Sequence, residues 1–144
     1  MTGADVMASC DVQAGLRGWA WGLHSLEAAV ESLILSCGGR FACQSWPWVC
    51  VDRGCVWLDA DQIHPHIGVL SSGEQRILGL VEALATGRPI DRLGDQFCAL
   101  DRYPLQLVLA ALAHAAGSHA QAVLSANGDG WVLLPPIVDW PTAA

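Results

Sequence analysis

The stretch that decides the fold is LSSGEQRILGLVEALATGRP, residues 70–89. Small polar residues come first, and a glycine and a proline close the stretch. Between them, apolar residues recur at the i, i+3, i+4 and i+7 spacing of one buried helix face: Ile77, Leu80, Val81 and Leu84. The sequence therefore predicts a helix from Ser72 to Thr86, with Ser72 as the N-cap and Gln75 at position N3 of a capping box.

A second helix is predicted from Pro104 to just before Gly117, since proline is tolerated in a first helical turn. The segment is almost free of charge, and alanines cover much of its surface. The larger apolar side chains at helical spacing are expected to form its core stripe: Leu105, Val108, Leu109 and Leu112. This helix is therefore expected to be central. The end of the helix carries His114, which is expected to be a hydrogen-bonded residue in the core or at its edge.

Before residue 70 the pattern predicts one long helix and a β-hairpin. Apolar residues alternate at steps of four and three from Trp19 to Cys37, and the pair Gly38-Gly39 is a strong stop signal. Residues 1–14 are expected to be a flexible tail. Runs rich in Val and Trp then flank the turn Asp52-Arg53-Gly54, which is typical of a hairpin.

A second hairpin is predicted at residues 121–134, where two apolar runs flank a turn rich in Asn, Gly and Asp. The expected order is helix, hairpin, helix, helix, hairpin. Because strands and helices are segregated, the sequence predicts an α+β fold around one antiparallel sheet, with residues 15–140 as a single domain.

Composition restricts the classes of function. The 144 residues are 53% hydrophobic and 15% charged, and the net charge is −7 with no lysine. An acidic chain without clustered cations is a poor partner for nucleic acid. No signal peptide is recognised, and the apolar run at 105–116 is shorter than the roughly 20 residues that span a bilayer. We therefore expect a cytoplasmic protein without a membrane or cofactor role, whose cysteines are mostly reduced and buried.

Two short motifs resemble catalytic ones. The run Leu70–Arg76 resembles the signature loop of ABC-type ATPases, LSGGEQR, but the chain has no GxxxxGK[ST] phosphate loop. A capped helix start explains the same residues. Separately, His64 and His66 with Ser71 and Glu74 resemble the motif of JAMM zinc isopeptidases, with a shorter gap and with Glu in place of Asp. That resemblance implies a zinc ligand set of His64, His66 and Glu74.

Tryptophan is the most unusual feature of the composition, with seven in the chain. Trp46, Trp48 and Trp57 belong to the first predicted hairpin, beside Arg40 and Arg53. Trp and Arg are favoured anchors of protein–protein interfaces. The sequence thus predicts an interaction module without catalytic activity, which binds a protein partner or itself through this Trp-rich surface. The alternative is a small zinc-dependent hydrolase using the histidine motif.

Residues 70–119 also resemble a segment of small actinobacterial and actinophage proteins that have no assigned activity. The shared features are the helix opening Ser-Gly-Glu-x-Arg-x-Leu, a Gly-x-Pro-Ile-Asp connector at residues 87–91, Leu-Asp-Arg at 100–102, and His-Ala-Ala-Gly-Ser-His at 114–119. The resemblance implies a type of host and no mechanism.

Overall fold

The computed structural model describes residues 7–142. Its first half holds two helices, a hairpin and a short helix: α1 (Ser9–Ala20), α2 (His24–Leu35), β1 (Val49–Asp52), β2 (Cys55–Leu58) and α3 (Ile63–His66). The second half holds three helices and a second hairpin: α4 (Ser72–Thr86), α5 (Leu93–Phe97), α6 (Arg102–Ala115), β3 (Ala122–Leu124) and β4 (Trp131–Leu133). Single 3-10 turns lie at Ser36–Gly39, Ala60–Gln62 and Ser118–Ala120.

The α+β class is confirmed, but the prediction of one sheet is wrong. Strands β1 and β2 form one antiparallel pair, and β3 and β4 form another. Both hairpins lie where the turn residues predicted them. Arg53 and Gly54 have φ of 50° and 82°, which is the left-handed conformation that a tight two-residue hairpin turn requires.

The predicted long N-terminal helix is two helices. Gly22 has φ of 88°, a conformation that glycine adopts readily and that interrupts the helix between α1 and α2. The expected tail at residues 1–14 is too long, because residues 9–14 belong to α1 and Val12 is buried in the core. Residues 1–6 of that predicted tail lie outside the described residues. Trp19, which we assigned to the apolar stripe, is exposed.

The core consists of two adjoining clusters. In the first, α1, α2 and α4 pack against the first hairpin, with Phe41 and Trp48 as its largest fully buried side chains. Gly15 permits this packing, since a Cβ there would lie 2.7 Å from a methyl group of Val56 on β2. In the second cluster, α2, α4 and α6 meet around Ala28 and Leu107.

Helix α4 spans the predicted residues, Ser72–Thr86, but its N-cap lies one residue earlier than expected, so the assignment of Ser72 and Gln75 to the cap is wrong. The N-cap is Ser71, whose hydroxyl accepts from the backbone N–H of Glu74 at 3.3 Å. The Glu74 carboxylate accepts from the Ser71 backbone N–H at 2.9 Å, which completes the capping box. Glutamate therefore takes the N3 role, and the Gln75 side chain bonds the Leu70 carbonyl instead. Gly87 ends the helix in the left-handed conformation, as expected.

Replacing Ser71 with alanine is expected to lower the free energy of unfolding by about 0.5–2 kcal/mol, because the cap bond is lost. The matched variant Ser72→Ala should change it by less than about 0.5 kcal/mol, because Ser72 is exposed and its side chain caps nothing. Urea denaturation of both variants measures the difference. A larger loss for Ser72→Ala than for Ser71→Ala would contradict this cap.

Helix α6 is rotated relative to the prediction. The expected core residues Leu105, Leu109 and Leu112 are exposed, and only Val108 of that stripe is buried. The buried face consists of Val108 and three residues outside the predicted stripe: Leu107, Ala110 and Ala111. Small side chains on α6 meet Ala28 on α2, so the two helices approach closely and the bulky leucines remain outside. Within residues 7–142, no helix has the length and apolar character to cross a membrane.

Candidate interaction surface and metal-ligating cluster

The Trp-rich hairpin does not present the surface that we predicted. Trp48 is 0% exposed, so its assignment as an interaction residue is wrong. Its indole N–H donates to the Phe41 carbonyl at 2.9 Å, and its ring stacks on Trp46 at 4.7 Å between centroids. Trp46 is itself half-buried and donates to the Arg40 carbonyl at 2.9 Å, and Trp57 is half-buried on β2. These side chains therefore help to build the monomer.

The two arginines beside this hairpin have different surroundings. The Arg40 guanidinium lies 5.8 Å from the centre of the Trp46 ring and pairs with Glu74 at 3.2 Å. Arg40 thus joins the first hairpin to the start of α4. Arg53 lies exposed in the β1–β2 turn. Of the five predicted interaction residues, only Arg53 is exposed and takes no part in the hydrogen bonds, ring contacts or ion pair described above.

The second hairpin is where the apolar surface lies. Residues opposite each other in an antiparallel pair share a face, and Leu124 pairs with Trp131 while Ala122 pairs with Leu133. We call the face formed by Ala122, Leu124, Trp131 and Leu133 the open face. Trp131 is 74% exposed and Leu133 is 70% exposed. The opposite face carries Val123 and Val132, which are also exposed.

Both faces and both edges of this hairpin are uncovered within residues 7–142. Every residue of β3 and β4 is exposed, and no third strand pairs with either of them. The segment from 121 to 138 contains a single charged residue, Asp129, in the turn. Ile137 follows and is exposed as well. An isolated two-stranded hairpin is at best marginally stable in water, so this exposure is unusual for a strand pair.

The predicted zinc ligands of the alternative function do not meet. His64 and His66 lie exposed on α3, and the His66 Nδ1 is 2.7 Å from the Gln62 carbonyl oxygen, to which it donates. Glu74 is engaged by the α4 cap and by Arg40. Within residues 7–142, these three side chains are not among the groups whose ligand atoms converge.

The exposure of the cysteines also differs from the prediction. All six cysteines are free, and most are exposed rather than buried: Cys10, Cys37, Cys55 and Cys98. Cys50 and Cys55 are not opposite each other, because Cys50 pairs with Trp57 and Cys55 pairs with Asp52. Neither a disulfide nor a thiol-based metal site forms among the described residues.

A different cluster brings metal-ligating atoms together. His24 and Glu27 lie one turn apart at the start of α2, and His114 lies in the last turn of α6. The packing of α2 on α6 places the His24 Nδ1 and the His114 Nε2 each 3.1 Å from the same oxygen, Oε1 of Glu27. All three ligand atoms lie within 4.8 Å of one another. The sequence expectation that His114 is hydrogen-bonded is confirmed.

Electrostatics keep this carboxylate ionised. Burial raises the pKa of Glu27, but hydrogen bonds from His24, from His114 and from the Gly22 backbone N–H outweigh burial, so the pKa lies below its usual value. His119 stands beside His114, with 4.9 Å between ring centroids. Burial, together with the neighbouring His114, lowers the pKa of His119. The cluster thus places one carboxylate between two imidazoles, with a third imidazole beside them.

A cavity of about 320 Å³ adjoins this cluster. Glu27 and His114 line it on one side, and Trp21 and Trp140 form apolar walls. Arg17 also lines the cavity, but its guanidinium is held by two hydrogen bonds of 2.9 Å to Glu31. The cavity therefore offers an apolar space in front of a carboxylate and an imidazole.

A larger cavity, of about 680 Å³, lies between α1, α2 and the starts of α4 and α6. Its lining is mostly apolar, and three of its polar side chains are paired within the chain. The Tyr103 hydroxyl donates to the Leu35 carbonyl at 2.8 Å, Arg17 pairs with Glu31, and Glu74 pairs with Arg40. Gln13 and Cys37 also line this cavity.

Comparison with protein families, with curated proteins and with solved structures finds no significant match to this chain.

Proposed function

We propose that this chain is a small cytoplasmic protein-interaction module without catalytic activity, and that it binds a second copy of itself through the open face of the β3–β4 hairpin. The observation that carries the proposal is the exposure of Leu124, Trp131 and Leu133 on one face of a two-stranded sheet. Contiguous apolar surface of this kind marks interaction sites on soluble proteins. Free thiols throughout the chain are compatible with a reducing compartment.

Charge favours an apolar partner over a charged one. The hairpin carries only Asp129, and that residue lies in the turn away from the strands. A charged partner surface would have to be desolvated against leucine, valine and tryptophan side chains, which costs several kcal/mol for each unpaired ion. An uncharged apolar partner loses no such solvation.

A second copy of the chain satisfies this requirement. A twofold contact places the same patch on both sides, so each open face meets another face of leucine and tryptophan. Sheets that pack face to face lie about 10 Å apart and bury their inner side chains between them. Two hairpins would cover each other in this way, and each would gain the packing that a lone strand pair lacks. The net charge of −7 opposes association only weakly at physiological ionic strength.

Sedimentation velocity across a range of protein concentrations tests this proposal. The wild type is expected to sediment as a dimer, and Leu133→Arg as a monomer, because the arginine would bury two like charges at the twofold contact. The control is Val69→Arg, since Val69 is 90% exposed and lies outside the hairpin. This control carries the same charge change and should remain a dimer. A monomeric wild type at every concentration would contradict the proposal, as would a Leu133→Arg variant that remains a dimer.

A further inference from the structure

We propose that His24, Glu27 and His114 form a site for one zinc ion, with its remaining coordination position facing the cavity beside Trp140. Two imidazole nitrogens and one carboxylate oxygen are a ligand set that zinc accepts in tetrahedral sites that keep one position open. The two helices that supply these groups, α2 and α6, pack against each other in the core. The site is therefore built on rigid elements of a single chain.

The spacing of the ligand atoms fits such an ion. With zinc–ligand bonds of about 2.0–2.1 Å, neighbouring ligand atoms of a tetrahedral site are roughly 3.3 Å apart. The His24 Nδ1 and the His114 Nε2 each lie 3.1 Å from Oε1 of Glu27. The two imidazole nitrogens lie within 4.8 Å of each other, so a movement of at most about 1.5 Å would bring all three pairs to this spacing. On binding, each imidazole would present the lone pair of that nitrogen and would carry its remaining proton on the other nitrogen.

Hydrogen bonding at this cluster is incomplete, and this observation is independent of the spacing. Only four buried side-chain polar atoms in residues 7–142 lack a hydrogen-bond partner. Three of them are here: the Nδ1 of His114 and both ring nitrogens of His119. None of these three atoms is a proposed zinc ligand. Because buried polar groups are nearly always satisfied by protein groups or ordered water, the three atoms mark polar space beside the ion that water molecules would fill. The fourth atom, Oε1 of Gln44, belongs to another part of the molecule.

Access to the site comes from the cavity of about 320 Å³, which Glu27 and His114 both line. A water molecule or a small ligand atom in this cavity would occupy the open coordination position. Trp21 and Trp140 make the surroundings apolar, which strengthens the attraction between the ion and the Glu27 carboxylate. Glu27 is also oriented by the Gly22 backbone N–H at 3.3 Å, so its second oxygen is already positioned.

Cobalt and zinc titrations of chelator-treated, untagged protein test the site. One equivalent of Co²⁺ is expected to give visible bands typical of four or five ligands, and one equivalent of Zn²⁺ to displace it. His24→Ala and Glu27→Gln should each weaken zinc binding by more than the roughly 10–100-fold that follows loss of a second-shell partner. His24 is suitable for this test because its side chain is 46% exposed and contributes little to the core.

The matched control is the double variant His64→Ala and His66→Ala, which removes two exposed imidazoles from α3 and should bind zinc like the wild type. Binding should also be unchanged in Leu133→Arg, because the site belongs to one chain whether or not the chain dimerises. Sedimentation therefore tests the proposed dimer and metal titration tests the proposed site, and either proposal can fail without the other. No stoichiometric binding, near-ultraviolet bands of cobalt–thiolate bonds, or unchanged affinity in His24→Ala would each overturn the assignment.

Discussion

Replacing Trp48 with alanine is expected to lower the free energy of unfolding by about 3–5 kcal/mol. The indole is fully buried and stacks on Trp46, and its N–H satisfies the Phe41 carbonyl. The substitution would leave a large cavity in the first core cluster and a buried carbonyl oxygen without its partner. Urea denaturation monitored by far-ultraviolet circular dichroism measures the loss.

The control for Trp48 is Trp21→Ala. Trp21 is 82% exposed, so its removal should change the free energy of unfolding by no more than about 0.5 kcal/mol. Equal losses in the two variants would mean that Trp48 is not the interior anchor of the hairpin. In that case the original expectation of a Trp48 surface would regain support.

The second large effect on stability is expected on the face of α6 that packs against the core. Leu107→Ala should cost about 2–5 kcal/mol, because Leu107 is 1% exposed and packs against Ala28 and Leu80. Leu109→Ala should cost less than about 1 kcal/mol, since Leu109 is 46% exposed. Denaturation of the two variants in the Leu133→Arg background isolates the monomer. An equal loss of unfolding free energy in Leu109→Ala and Leu107→Ala would contradict the observed orientation of α6.

The sequence predicted elements well where local chemistry decides them. Gly87 and Pro89 end α4, Arg53 and Gly54 form a tight turn, and the 127–130 run turns the second hairpin. In each case a residue with a special backbone preference determines the local conformation, and no distant contact is needed. The cap of α4 was misplaced by one residue because two adjacent serines satisfy the same pattern, and only Ser71 has Glu74 three residues ahead of it.

Burial was predicted poorly where packing between helices decides it. A stripe of leucines on α6 suggested a core face. The face that is buried against α2 instead carries alanines, which let the two helices pack more closely. Trp48 looked like an interface anchor in the sequence, whereas a large aromatic side chain fills a core equally well. Neither outcome can be read from spacing, because both depend on the shape of the neighbouring element.

The open face of the second hairpin has a recognisable sequence pattern, whereas the histidine cluster has none. Both strands of the second hairpin are apolar at consecutive positions, as in Ala-Val-Leu and Trp-Val-Leu, without the polar alternation of a half-exposed strand. That pattern is typical of a strand that needs cover on both faces, but we assigned the interaction surface to the first hairpin instead. The histidine cluster gave no such signal, because Glu27 and His114 are 87 residues apart in the chain and meet only through the packing of α2 on α6.

Amide hydrogen exchange in residues 122–133, followed as a function of protein concentration, tests the central claim most directly. If a second copy covers the open face, these amides should be protected at high concentration and lose protection on dilution and in Leu133→Arg. Amides of α4 should exchange alike in all these samples, because that helix lies outside the contact. Exchange in residues 122–133 that is fast and independent of concentration, and identical in Leu133→Arg, would contradict the account.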